Sequence, residues 1–288
     1  MARAPEEVNF WQPSAGRRAV SLDPGSLFLF KLHAPANFIV GGGFFVRYST
    51  VPAALAWSAF AQNNGVATYA DLRQRVSQYR RDEIKGDPEI GCNILNAPFF
   101  WDEADWIPIP PSWAPNIVQG KSFDSTVGEG LALWRQVEDR IYRSSSVGSR
   151  QVEVLRFGNA YLTQARLGQG AFRVLVTDAY DRRCAVTGER TLPVLEAAHI
   201  KPYSKNGPHA ISNGLLLRSD LHTLFDSGYL TIDNDYRLLV SRRIREEFSN
   251  GREYYKYEGV PLLVLPGDGS WLPDKSHLEW HRENCFLG

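Results

Sequence analysis

Several things are scarce in this 288-residue chain. Cysteine occurs three times, at Cys92, Cys184 and Cys285, an odd number at wide spacing that offers no disulfide framework. A reducing, cytoplasmic setting is the expectation. Long apolar runs are lacking: no stretch nears the roughly 18 uninterrupted apolar residues of a membrane span, so no membrane partner is expected. The opening MARAPEEVNFW lacks a basic-then-apolar pattern, so no signal peptide is expected. Net charge is absent as well, 32 Lys and Arg standing against 32 Asp and Glu. Neutrality argues against a nucleic-acid partner only if the charge is spread evenly.

It is not spread evenly. Residues 1–143 hold 14 basic and 15 acidic side chains, 144–243 hold 13 and 9, and 244–288 hold 5 and 8. The middle segment is modestly basic, and phosphate binding needs local positive charge, not net charge. The composition, 43% apolar and 22% charged, is that of a globular protein, and the length fits two domains.

Six of the eight tryptophans precede Arg143. In this first part, Ser26–Leu32 and Phe38–Tyr48 read as strands, with Gly41-Gly-Gly43 marking a bulge or a close backbone approach. Pro52 opens a helix to Ala61. A second helix starts at a Thr68-x-x-Asp71 capping box and carries Tyr69, Leu72, Val76 and Tyr79 on one face. Ile90–Leu95 is a further strand, the Pro98–Pro115 stretch is expected to be irregular, and Leu131, Trp134, Val137 and Ile141 mark a helix. Ser144-Ser-Ser-Val-Gly-Ser149 is the best linker in the chain. Beyond it, a helix is expected near Ala171–Tyr180, then short strands at Cys184 and at Leu195–Ile200. A long loop from Lys201 leads to a helix at Ser219–Asp226. Tyr229–Asp233 and Tyr236–Val240 form a hairpin turning on Asn234-Asp235.

The chemistry is concentrated in Cys184-Ala-Val-Thr-Gly188, Leu195-Glu-Ala-Ala-His-Ile-Lys-Pro-Tyr203 and Ser212-Asn-Gly-Leu-Leu-Leu-Arg-Ser-Asp-Leu-His-Thr-Leu-Phe-Asp226. His199 ends a strand, Asn213 follows a Gly/Pro loop, and His222 lies in a helix. His222 and Asp226, four apart, share a helical face and can share a cation. An imidazole with a carboxylate suits Mg²⁺ or Mn²⁺. A neutral imidazole on the strand can take a proton from water, while the cation stabilises charge on a phosphate. These parts suffice for phosphodiester hydrolysis.

From about Arg166 to Val240 the pattern resembles the HNH (ββα-metal) endonucleases, of the predicted restriction endonuclease type. Arg166-x-Gly-Gln-Gly-Ala-Phe-Arg173 strengthens the likeness. The resemblance implies His199 as general base, Asn213 as brace of the loop and His222 as metal ligand, with one divalent ion per site. Asp226 matches a second helix ligand of some members. Many members carry a metal-binding Asp just before the base, where this chain has Ala198; Glu196, on the same strand face, is the expected substitute. Thr187 stands where relatives have the second cysteine of a CxxC, so no structural zinc is expected. Arg166, Gln169, Arg173, Lys201, Lys205 and Arg218 are the expected DNA contacts.

The strands Gly25–His33 and Ile39–Phe45 resemble the core of PUA-superfamily domains of the EVE and YTH type, pseudo-barrels of which several read modified bases. That resemblance implies a reader with Trp11, His33, Asn37, Trp101 and Trp106 as pocket residues, because inspected bases are often flipped between aromatic rings. The expected protein is α+β, with a PUA-like pseudo-barrel with helices over 1–143, a linker over 144–165 and a ββα-metal nuclease over 166–288. Its expected role is modification-dependent restriction of double-stranded DNA, most plausibly carrying modified cytosine, by a homodimer that cuts both strands. Two rivals stand beside it: a nuclease whose first domain reads unmodified sequence or binds a protein, and a non-catalytic binder whose site has decayed at Ala198.

Overall fold

Alternation along the first strand sets the pattern of the amino-terminal part: Glu7 and Asn9 point into the interior while Phe10 is exposed. In the computed structural model, which describes residues 5–15, 22–80, 85–114, 117, 120–144 and 167–288, the chain divides into two units, Met1–Ala165 and Arg166–Gly288. Apart from Ser144, the segment expected as linker lies outside the described residues, and so does Arg166.

In the first unit, β1 (Glu7–Gln12), β2 (Leu27–Lys31), β3 (Phe38–Pro52), β4 (Glu89–Phe100) and β5 (Ile107–Pro108) form one antiparallel sheet. The order is β1-β4-β3-β2, with β5 on β3. Register shifts between Gly42 and Phe44, and again between Phe45 and Arg47, bend β3 where the glycines stand. The expected pseudo-barrel is not found, because the hydrogen-bonded ladder stays open among the described residues, with β1 and β2 at its edges. Side chains bring those edges together instead: Phe10 lies 5.1 Å from Phe28 and 5.7 Å from Phe30, ring to ring.

One sheet face is covered by α3 (Gly128–Ser144), whose Leu133, Val137 and Ile141 pack on Ile39, Phe44, Phe99 and Trp101. The helix stripe thus runs through Leu133 at i, i+4 spacing, not through Leu131. Beside the helices α1 (Ala53–Phe60) and α2 (Tyr69–Arg80), side-chain amides bond one another and the backbone. Asn9 Nδ2 donates to Asn64 Oδ1 at 2.8 Å, and Asn64 Nδ2 donates to Ala61 O at 2.8 Å. The capping box forms, with Asp71 N donating to Thr68 Oγ1 and Thr68 N to Asp71 Oδ2. Pro98–Phe100, expected to be irregular, continue β4, since Phe99 is needed as a core side chain.

In the second unit, α4 (Gln169–Ala179) precedes a hairpin of β6 (Leu195–His199) and β7 (Gly214–Arg218), followed by α5 (Ser219–Asp226). Then come β8 (Leu230–Ile232) and β9 (Leu238–Val240), the short helices α6 (Arg243–Phe248) and α7 (Arg252–Tyr255), and α8 (Lys275–Asn284). Cys184 lies in a turn and not in a strand: Gly188, at φ 71°, donates its N–H back to Cys184 O. The partner of the histidine strand is β7, whose Leu215, Leu216 and Leu217 are buried. In the β8–β9 turn the left-handed residue is Tyr236, at φ 58°, not Asn234 or Asp235.

The core of this unit joins Phe172, Val176, Leu195, Ala198, Leu215, Leu221, Phe225 and Leu278. Each such aliphatic or aromatic side chain contributes about 1.5–3 kcal/mol when fully buried. His281 is enclosed with them, stacked on Phe225 at 3.8 Å, with Nδ1 2.9 Å from Thr231 Oγ1. Burial pushes its pKa down to about 4, and that of His199 likewise. Between those values and the ordinary 6.5 the unfolded chain binds more protons, so stability falls as pH drops through that window. His222 acts oppositely: its pKa is raised, so its contribution is complete below 6.5 and is lost as pH rises through the folded value. His281 alone accounts for roughly 3 kcal/mol at the acid end. The Tm is therefore expected to fall between pH 6.5 and 4.5, and His281→Gln should flatten that fall; an unchanged slope in the variant would assign the acid loss to other groups.

Candidate active site

The β6–β7 hairpin and α5 supply the polar groups of one cavity of about 510 Å³, into which Glu196, His199, His222 and Asp226 project with Gln169 and Arg173 of α4. His199 stands at the end of β6, paired with Gly214. Its ring lies flat on Phe172, centroids 3.9 Å apart and planes within 10°. That approach needs a bare backbone opposite, because a Cβ at Gly214 would come within 2.4 Å of Val176 Cγ2 and 3.1 Å of the Phe172 ring. Burial first, then the neighbouring charge of His209, hold His199 at a pKa of about 4, while Asp226 opposes them. At neutral pH His199 is uncharged and keeps a lone pair for a proton.

Asn213 is fully buried at the far end of the 201–213 loop. Its Oδ1 accepts from Lys201 N at 2.9 Å, and its Nδ2 donates to Lys201 O at 2.9 Å and Pro208 O at 2.8 Å. One side chain thus replaces three backbone partnerships that the loop cannot make with itself.

His222 sits between two carboxylates. Its Nδ1 is 2.6 Å from Glu196 Oε2, and its Nε2 is 3.2 Å from Asp226 Oδ2 one helical turn on. The hydrogen bond to Asp226 raises its pKa, burial opposes, and the bond to Glu196 adds to the rise. Glu196 and Asp226 approach opposite nitrogens of one ring, so they do not converge with it on a single point. No group of three or more His, Cys, Asp or Glu able to hold a metal ion occurs among the described residues. The donor chemistry nevertheless fits a hard divalent ion held by few protein ligands and completed by water and phosphate oxygens. An imidazole whose other nitrogen bonds a carboxylate is the usual arrangement of a histidine ligand.

Of the other residues expected at the DNA surface, Lys201 Nζ lies over the Trp280 ring at 5.4 Å, and Lys205 lines a separate hollow beside Trp280. Arg218 is bidentate on Asp220 at 2.6 and 2.8 Å. His209, a loop residue that could equally approach DNA, turns toward the base instead, its Nδ1 3.0 Å from His199 Nε2; nothing in the spacing indicates which way a loop side chain points.

Residues 184–233 match the model of a family described as HNH endonuclease. This segment is an HNH endonuclease domain. It contains the β6–β7 hairpin and α5 with the four cavity residues named first. A solved structure described as "Modification dependent TagI restriction endonuclease" is similar at 16% identity over 87% of this chain and 55% of that chain, with a TM-score of 0.32. The chain spans about half the length of that protein, and at that score the two folds are not equated. No curated protein matches the chain. Beyond the HNH domain, no helix among the described residues is long and apolar enough to cross a membrane.

Of the residues expected to form a reader pocket in the first unit, Trp101 and Trp106 meet, while Trp11 is bonded to Asn64. Trp11 Nε1 donates to Asn64 O at 2.9 Å, and its ring meets Tyr79 edge-on. Trp101 is a core side chain packed on Phe99, where the expected role needed an open slot. Trp106 Nε1 donates to Trp101 O at 3.0 Å, Asn37 Oδ1 accepts from Lys31 Nζ at 2.9 Å, and His33 is exposed in a turn. Exposed rings among the described residues of this unit include Phe10 and Phe100, each stacked on Phe30, and Tyr79 and Tyr142. A bias for aromatic residues was visible in the sequence; which of them would be covered by α3 was not.

Proposed function

We propose that the chain is a divalent-metal-dependent endonuclease that cuts double-stranded DNA carrying modified bases, most plausibly modified cytosine, and serves in the cytoplasm to restrict foreign DNA. The observation that carries the nuclease reading is the convergence, in one cavity of the HNH domain, of an uncharged His199 with the His222–Asp226 pair. In this reading His199 takes the proton of the attacking water. His222 and Asp226 would hold Mg²⁺ or Mn²⁺, which would supply positive charge against the phosphate. Glu196, bonded to the opposite nitrogen, orients His222 and so takes a different part from the ligand role expected for it. Asn213 braces the loop that ends beside the base. Gln169 and Arg173, at the cavity wall, meet the phosphate backbone. With one such site per chain, cutting both strands requires two copies. The reader role of the first unit rests on the resemblance of its strands to PUA and EVE domains.

Plasmid carrying modified cytosine and its unmodified twin, each incubated with Mg²⁺ or Mn²⁺ and with a chelator control, test both parts. The expected result is metal-dependent cleavage of the modified plasmid alone. Equal cutting of the two plasmids would remove the reader, and no cutting of either would remove the nuclease.

A further inference from the structure

His209 has no part in the reading above, yet its side chain decides which nitrogen of His199 is available. The loop before it is tightly wound: Lys205 N and Gly207 N both donate to Pro202 O, at 2.9 and 3.0 Å, and Asn206 is left-handed at φ 62°. A Cβ on Gly207 would stand 1.8 Å from Lys201 O, so the loop closes this tightly only on glycine. Asn213 then ties Lys201 to Pro208. The next residue is His209, whose ring meets that of His199 nearly at right angles, centroids 4.8 Å apart. Tyr203 leans on it at 4.7 Å, and Phe172 meets it edge-on at 5.7 Å.

Two ring nitrogens 3.0 Å apart share one proton between them, and the choice of owner has chemical consequences. If His209 Nδ1 owns it, a neutral His199 carries its own proton on Nδ1 and accepts at Nε2, leaving neither nitrogen ready for water. If His199 Nε2 owns it and donates to His209 Nδ1, then His199 Nδ1 is bare. Only the second arrangement is a base.

We propose that His209 is a positioning residue for the HNH domain: by accepting the Nε2–H of His199 at Nδ1, it fixes the tautomer that leaves His199 Nδ1 bare for the attacking water. The proposal rests on His199 being the general base. In the reaction the water proton passes to His199 Nδ1 as the water oxygen bonds to phosphorus. The P–O bond to the leaving oxygen breaks, and that oxygen takes a proton from solvent. His199 is then an imidazolium, and its Nε2–H bond to a neutral His209 becomes charge-assisted and stronger.

The test uses the full chain with Mn²⁺ and DNA cut by the wild type, together with ¹⁵N spectra of the histidine rings. Wild-type His199 is expected to show a protonated Nε2 and a bare Nδ1. In His209→Ala that fixed tautomer should be lost, and cleavage at saturating DNA should slow by about 10- to 100-fold, less than the loss of the base itself. DNA affinity and Tm should stay near wild type. His209→Asn, whose Oδ1 sits as many bonds from the backbone as Nδ1 does, should restore most of the rate. A wild-type His199 protonated on Nδ1, or a His209→Ala variant cutting at the wild-type rate, overturns the proposal. A wild type that cuts no DNA would instead overturn the nuclease reading, while the His199 tautomer would still decide this one.

Discussion

His199→Ala is expected to abolish detectable cleavage while DNA binding stays close to wild type. A positioned general base contributes about 10²- to 10⁴-fold to such reactions, and no other neutral imidazole in the cavity is placed to replace this one. His222 is bonded to carboxylates at both nitrogens, and the Nδ1 of His281 is committed to Thr231. The variant keeps the His222–Asp226 pair and the cationic wall at Arg173, so the groups that meet the backbone of DNA remain. Its fold should also survive, because the imidazole is only partly buried and Phe172 is otherwise held by the core. Single-turnover cleavage with Mg²⁺ or Mn²⁺, measured beside equilibrium DNA binding, separates the two effects. Wild-type cutting by His199→Ala would mean that another group activates water.

Asn213→Ala is expected to be the most damaging change to stability in the second unit. The side chain is 0% exposed and makes three hydrogen bonds, all to main-chain groups of the loop. Its loss leaves the Lys201 N–H, the Lys201 carbonyl and the Pro208 carbonyl without that partner, and an unsatisfied buried group costs about 1–3 kcal/mol. Partial access to water at Pro208 softens the sum, so roughly 3 kcal/mol is expected, or a fall in Tm of roughly 10 °C for a unit of this size. Cleavage should fall with it, because the same bonds deliver His209 to His199. Thermal melts of the full chain at pH 7 read the first effect, and cleavage below the variant's own Tm reads the second. A melt within 2–3 °C of wild type, at roughly 1 kcal/mol or less, would show that the loop is held by its turns alone.

How much of this was visible beforehand depends on what kind of signal each element emits. The capping box at Thr68–Asp71 and the His222–Asp226 pair are local patterns of four and five residues; the box forms, and the pair shares one helical face. Strand β7 was swallowed by the motif, because Gly214-Leu-Leu-Leu-Arg218 is buried on both faces and shows no alternation. Cys184-Ala-Val-Thr has the β-branched residues of a strand, but Gly188 bends the chain back, and Ala185 keeps single bonds, N to Leu216 O and O from Val264 N, in place of a ladder. Glu196 was placed on the correct face of β6, yet its approach to the far nitrogen of His222 depends on how α5 lies across the hairpin, which no spacing encodes. The same holds for the first unit, where only the packing of α3 separates the buried Trp101 from the exposed Phe100.

Gly214 shows where the tolerance of this site to change is narrowest. It carries no side chain and no reactive atom, yet it sets the gap between α4 and the hairpin, and through Phe172 the tilt of the His199 ring. A single added methyl at this position would act as a wedge, moving the base without touching DNA, metal or loop. The placing of the His199 imidazole thus depends on an atom the chain leaves out, at a position that its reactive side chains alone would not mark.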